Sequence, residues 1–102
     1  MNTIETLFEL LLERRDSPQP GSYTAELLAA GKVEIAKKVG EEAIEVIVAA
    51  QAEGNERLVA EMADLVYHML VLLVANGLAW EDVLKELEAR RGGVQPPTET
   101  QA

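Results

Sequence analysis

Apolar residues over the first 90 positions recur at spacings of three and four, which is the period of an amphipathic α-helix. In the first segment they are Ile4, Leu7, Phe8, Leu11 and Leu12. Asn2, with Glu5 three residues later, predicts a capping box at the start of this helix. No segment shows the alternating pattern of a half-buried strand. The pattern therefore predicts an all-α fold, a bundle of four to five helices.

Residues rich in Gly, Pro and Asn divide the chain into its predicted helices. Thr24 is a candidate N-cap of the second helix and Asn55 of the fourth. Asn76-Gly77 is a C-terminal stop for the fourth helix, and Gly92-Gly93 ends the last one. The predicted helices run from about residue 3 to 15, 24 to 30, 33 to 52, 55 to 76 and 80 to 91.

The fourth segment is apolar on nearly every side from Leu58 onward, apart from one narrow polar stripe. A helix that is apolar on every face is expected to be buried. Because one small chain has too few other helices to surround it, we expect a homodimer that completes a four-helix-type core. In the last segment, the pattern predicts an inward face made by Trp80, Val83, Leu84 and Leu87.

Length and composition indicate one small domain, predicted over residues 1–92, followed by a disordered tail over residues 93–102. A formal net charge of −9 argues against binding nucleic acid through its phosphates. Cysteine is absent, which excludes disulfides and thiolate sites. No signal peptide is evident, and the apolar run over residues 65–75 is too short to span a bilayer. We therefore expect a cytoplasmic protein with no membrane partner.

Two pairs of acids interrupt the apolar helical sequence. Glu42 and Glu45 form the first pair, and Glu61 and Asp64 the second. Each pair has i,i+3 spacing, so both carboxylates leave the same face of a helix. A short turn at residues 53–55 predicts that the two helices are antiparallel neighbours. Buried ionised carboxylates are costly and repel one another unless a cation is shared among them.

This arrangement predicts a divalent-metal site in the helical core. Carboxylate oxygens without cysteine or a matching Glu-x-x-His pair favour a hard ion, Mg²⁺, with Mn²⁺ as a possible substitute. The alternative is that the acids are an ordinary solvated helix face, which is the commoner origin of such spacing. The second pair argues against that alternative, because the helix around it is otherwise apolar.

Other charged or polar residues near these segments are candidates for substrate contact. Lys38 shares the polar arc of its helix with Glu41 and Glu45, so it either meets phosphate or is a solvated residue. His68 lies one turn from Asp64, where a core histidine bonded to a carboxylate is the alternative to a functional one. Arg90 and Arg91 are candidates for substrate contact or for a helix end matched to its dipole.

The acids and their flanks resemble a known family. Glu41-Glu42-Ala43-Ile44-Glu45 followed by Glu61-Met62-Ala63-Asp64 resembles the E-E-x-x-E…E-x-x-D signature of the MazG-like all-α nucleoside triphosphate pyrophosphohydrolases. Ser22-Tyr23-Thr24, residues 37–42 and residues 63–73 are similar to the phosphoribosyl-ATP pyrophosphatases within that superfamily. The resemblance covers about residues 3 to 92.

The resemblance implies hydrolysis of phosphoribosyl-ATP to phosphoribosyl-AMP and pyrophosphate, the second step of histidine biosynthesis, with magnesium. It implies metal-ligand roles for Glu42, Glu45, Glu61 and Asp64. Glu41 would be a further ligand or would position the attacking water, and Tyr23 and Thr24 become candidates for substrate binding. Two alternatives stay open at this point: a house-cleaning nucleotide pyrophosphatase of the same superfamily, and a non-catalytic helical dimerisation module.

Overall fold

The computed structural model describes residues 2–91 and contains five α-helices and no strand within that range. The helices are α1 (Thr3–Asp16), α2 (Tyr23–Ala30), α3 (Lys32–Val48), α4 (Asn55–Ala75) and α5 (Trp80–Arg90). The predicted all-α bundle is therefore confirmed. The predicted disordered tail, residues 93–102, lies outside the described residues.

The starts of the first two helices are fixed by side-chain caps. The backbone N–H of Glu5 donates to Asn2 Oδ1 at 2.8 Å, and Asn2 Nδ2 donates to the Glu5 carboxylate at 2.8 Å. The predicted capping box is confirmed. In α2 the cap is Ser22, whose Oγ accepts from the backbone N–H of Ala25 at 3.2 Å. Thr24 lies inside the helix, so its prediction as the N-cap was wrong by two residues.

A sharp reversal after α3 places α3 and α4 side by side. α3 continues into a π-helical turn over Ala49–Glu53, and Gly54 then adopts a φ of +87°. This region is open to glycine because it has no Cβ. Asn55 is the first residue of α4 and makes no side-chain cap, so its prediction as an N-cap was wrong. α3 and α4 make the most extensive helix–helix contact of the described chain, as the predicted antiparallel hairpin requires.

Helix α4 contributes most to the hydrophobic core. Leu70, Val71 and Val74 are buried and pack with Leu11 of α1 and Ile35 of α3. α4 is long and apolar enough to cross a membrane by length and composition alone. The core helices of soluble proteins pass the same test, and the interior of α4 carries the buried polar residues Glu61 and His68.

The opposite side of the α3–α4 hairpin is apolar and exposed in the single chain. The exposed residues there are Ile44, Ile47 and Val48 of α3, and Val59 and Met62 of α4. On α3, Ile47 and Val48 lie at +3 and +4 from Ile44, and on α4, Met62 lies at +3 from Val59, so the exposed apolar residues of each helix share one face. Helix α4 is therefore not covered on every side within one chain, as the expectation of a partner chain assumed, and the homodimer itself stays a prediction.

Helix α5 packs loosely on the rest of the described chain. Trp80 is half-buried against the core, and Val83 is half-buried. Leu84 and Leu87 are exposed, so the predicted inward face holds only for the first turn. Helical periodicity identified the apolar stripe of α5, but α5 has too few neighbours in one chain to cover the whole stripe.

Candidate active site

Three carboxylates converge between α3 and α4. One oxygen each from Glu42, Glu61 and Asp64 lies within 4.8 Å of the other two. Glu61 is buried, Glu42 is half-buried and Asp64 is exposed. We call these three residues the acid triad. The i,i+3 spacing on α4 points Glu61 and Asp64 to one side, and the turn at Gly54 brings Glu42 opposite them.

The fourth and fifth predicted acids lie beside the triad. Glu45 is exposed and is outside the converging set, but its charge acts on Glu61 and contributes to that residue's raised pKa. Glu41 is exposed and pairs with Lys38, with 3.4 Å between Nζ and Oε1. The hydrogen bond to Glu41 raises the pKa of Lys38. Lys38 therefore stays a cation at the edge of the site.

Glu61 has the least favourable environment for a charge. The residue is 5% exposed, and burial raises the pKa of its carboxyl above the ordinary value of 4.5. Arg57, one turn earlier on α4, donates from Nη2 to Glu61 Oε2 and opposes that shift. Repulsion from Glu45, Asp64 and Glu42 raises the pKa further.

A hydrogen-bonded chain ties α2 to the acid-bearing turn of α4. His68 Nδ1 lies 2.7 Å from the backbone oxygen of Asp64, and because a carbonyl oxygen only accepts, Nδ1 carries the proton. In the neutral ring Nε2 is then the acceptor, and the Tyr23 hydroxyl donates to it at 3.0 Å. His68 is the hydrogen-bonded core histidine considered from the sequence, but its partner is a carbonyl rather than a carboxylate.

Tyr67 joins this cluster beside the triad. Its hydroxyl is hydrogen-bonded to Thr24 Oγ1, and its ring stacks on that of Tyr23 with centroids 6.3 Å apart. Burial raises the pKa of the Tyr23 hydroxyl, and Lys38 opposes the shift. The hydroxyl therefore stays protonated and available as a donor. Sequence reasoning missed Tyr67 and Arg57 as site residues, although both lie within four residues of an acid of the second pair.

The last two predicted contacts lie at the C-terminal end of α5. Arg90 pairs with Glu86 at 2.8 Å, and Arg91 pairs with Glu88 at 2.9 Å, in each case on their own helix or its end. Within residues 2–91, neither arginine makes an ion pair with the acid triad. Their proposed contact with substrate stays a prediction.

The donor set of the triad fits a hard divalent cation. All of its ligand atoms are carboxylate oxygens, which Mg²⁺ prefers. Burial, and after it repulsion from Glu45, Asp64 and Glu42, keeps the pKa of Glu61 raised even with the guanidinium of Arg57 in contact. A divalent cation between the carboxylates would offset the part of this shift that comes from repulsion among them.

The raised pKa of Glu61 predicts how the metal-free protein responds to pH. Between the unfolded-state pKa and the higher folded-state pKa, the folded chain binds more protons than the unfolded chain. The free energy of unfolding therefore falls as pH rises through that window and stays low above it. Thermal unfolding in EDTA at a series of pH values from 4 to 8 measures this dependence.

The matched variants for this test lie on the same helix. Glu61→Gln should remove the pH-dependent fall and be more stable than the native chain above the window. Glu56→Gln, which removes an exposed acid of α4 outside the triad, should retain the fall. If the free energy of unfolding of Glu61→Gln falls with pH by the same amount as that of the native chain, another titrating group causes the fall.

Known proteins are similar to this chain over a range that includes the acid triad. Residues 4–91 match the family model described as phosphoribosyl-ATP pyrophosphohydrolase. A relative named phosphoribosyl-ATP pyrophosphatase from Pelotomaculum thermopropionicum is 58% identical over 88 residues, covering 86% of this chain and 90% of the relative. Relatives of the same name from Sulfurisphaera tokodaii and Saccharolobus solfataricus are 51% and 48% identical, over 87% and 86% of this chain and 95% and 94% of their own lengths.

Proposed function

Because this chain belongs to the phosphoribosyl-ATP pyrophosphohydrolase family, we propose that it hydrolyses phosphoribosyl-ATP at a metal site built around the acid triad. The products are phosphoribosyl-AMP and pyrophosphate, and the reaction is the histidine-biosynthesis step expected from the sequence. The chain is an enzyme, a pyrophosphate-releasing hydrolase. The main observation in support of this location is the convergence of three carboxylates between α3 and α4.

The proposed metal ligands are Glu42, Glu45, Glu61 and Asp64, and the proposed ion is Mg²⁺, with Mn²⁺ as a substitute. The mutual approach of three of these carboxylates supports the assignment. The action of the Glu45 charge on Glu61 supports its inclusion as the fourth. Bound Mg²⁺ would neutralise charge on the triphosphate oxygens and lower the pKa of a bound water.

The remaining charged residues are assigned to substrate and water. Lys38 binds a phosphate oxygen of the triphosphate, because it is cationic and lies at the edge of the acids. Glu41 holds the attacking water and accepts its proton, because its side chain is 50% exposed and lies outside the triad. A new bond forms from the water oxygen to phosphorus while the bond to pyrophosphate breaks. Proton acceptance of this kind contributes typically about 10²–10⁴-fold to a rate.

A substrate panel tests the proposed function. Purified protein with Mg²⁺ should release pyrophosphate from phosphoribosyl-ATP at least about tenfold faster, as kcat/KM, than from ATP, dCTP or dUTP, which corresponds to about 1.4 kcal/mol of discrimination. A preference for a free nucleotide would instead support the house-cleaning pyrophosphatase. No release from any substrate would support the dimerisation module. The names of the relatives favour neither alternative.

We also propose that the enzyme is a homodimer in the cytoplasm. The exposed apolar stripe of α3 and α4 supports dimerisation, because a second hairpin placed on it would complete a four-helix core. A C₂ dimer uses the same patch on both subunits, as a self-complementary stripe allows. With a net charge of −9, nucleic acid is not a proposed partner.

A further inference from the structure

The ring of Tyr23 lies beside the acid triad and is only partly covered. Tyr67 stacks on one face at an interplanar angle of 26°. The ring of His68 meets Tyr23 edge-on, with centroids 5.9 Å apart and planes at 76°. Tyr23 is nevertheless 50% exposed, so the contacts with Tyr67 and His68 leave part of the residue open to solvent.

This open ring is held in place from several sides. Its hydroxyl donates to His68, and the imidazole is itself held by the backbone oxygen of Asp64. Tyr67, which stacks on this ring, is hydrogen-bonded to Thr24, the residue that follows Tyr23 in α2. A ring immobilised before binding loses little conformational entropy when a ligand settles on it.

The acids, Lys38 and the ring of Tyr23 offer separate places for the phosphates and the base of a nucleotide. Lys38 pairs with Glu41 of α3 at 3.4 Å, and Tyr23 is linked through His68 to the backbone oxygen of Asp64 in the acid triad. A triphosphate at the acids and Lys38 would therefore leave its base on the side of Tyr23. An uncharged aromatic surface suits a base better than it suits phosphate, because every base has a π-face that stacks on such rings.

We propose that the open face of Tyr23, fixed by Tyr67 and His68, is the stacking surface for the purine base of the substrate. This inference rests on the proposed function and adds the part of the site that recognises the base. Tyr67 and His68 are positioning residues here, since they act through Tyr23.

Two substitutions at Tyr23 separate stacking from hydrogen bonding. Tyr23→Leu removes the ring and should raise the KM for phosphoribosyl-ATP by roughly 5- to 150-fold, the range for loss of one base–aromatic stack. Tyr23→Phe removes only the hydroxyl and should recover most of that loss. Equal losses in both variants would show that the bond to His68 is what matters, which would overturn the proposal.

Inorganic tripolyphosphate, a probe without a base, provides the internal control. Its inhibition constant should be the same for the native enzyme and Tyr23→Leu, while KM for the nucleotide rises. Equal weakening of both would place Tyr23 against phosphate and overturn the proposal. Leu10→Ala, at an exposed apolar residue of α1, should leave both constants unchanged.

Three further outcomes are distinguishable. If Tyr23→Leu lowers the dimer fraction in sedimentation and its KM recovers at high protein concentration, the ring belongs to a subunit contact, and the proposal is overturned. If the native enzyme does not hydrolyse phosphoribosyl-ATP at all, the proposed function fails. An unchanged KM for Tyr23→Leu in an active enzyme overturns this inference alone.

Discussion

Replacing Glu61 by Gln should lower kcat/KM for phosphoribosyl-ATP by about 10²–10⁴-fold, because metal stabilisation of transition-state charge is worth several kcal/mol. Gln keeps the shape and the hydrogen-bonding oxygen of Glu61 but removes the charge that the cation needs. Steady-state release of pyrophosphate at saturating Mg²⁺ measures the loss. Since Glu61 is the buried member of the triad, its charge is the least replaceable by solvent.

Metal binding provides the second readout for the same variant. For the native chain, Mg²⁺ at 100 times its Kd should raise the free energy of unfolding by about 2.7 kcal/mol, since the ion binds only the folded state. Glu61→Gln should lose most of this gain, and the control Glu56→Gln should keep both the gain and the activity. Full activity in Glu61→Gln would show that the catalytic metal does not bind at the triad.

Replacing Ile47 by Glu should dissociate the proposed homodimer at concentrations where the native chain is dimeric. Ile47 is 55% exposed in the single chain, so a charge there does not disturb the fold of one subunit. In a C₂ dimer the substitution enters the interface twice. A buried unpaired charge costs several kcal/mol, so the dimer Kd should rise by at least about 10³-fold.

Sedimentation velocity over a dilution series measures the dissociation, and far-UV circular dichroism checks that the helices remain. Leu10→Glu, at an exposed apolar residue of α1 outside the hairpin stripe, is the matched control and should stay dimeric. A native chain that is monomeric throughout would refute the dimer. If Ile47→Glu is as dimeric as the native chain, the dimer interface lies on another face of the subunit.

Much of the fold could be predicted from local sequence because helices are local structures. The capping box of Asn2 and Glu5 is complete within four residues, and it forms as predicted. The two capping errors arise from competition between neighbours. Ser22 and Thr24 offer the same chemistry, and Gly54 reverses the chain before Asn55 can cap α4.

The acids show where local reasoning stops. Their i,i+3 spacing identified both pairs, and the short turn predicted that the pairs face each other. Glu45 and Asp64 were expected to be hidden from water, yet both are exposed in the single chain. Burial depends on what packs across a side chain, and the spacing of residues on one helix does not contain that information.

The amino-acid sequence by itself determined the five helices, the pairing of acids on α3 and α4, and the resemblance to the family to which the chain belongs. These follow from backbone periodicity and from residues close together in the chain. Only the tertiary structure decided that Glu61 is the buried carboxylate, that Arg57 contacts it, and that Tyr23 reaches His68 across 45 residues. Those facts depend on the packing of α2 and α3 against α4, and packing joins side chains whose separation along the chain carries no periodic signal.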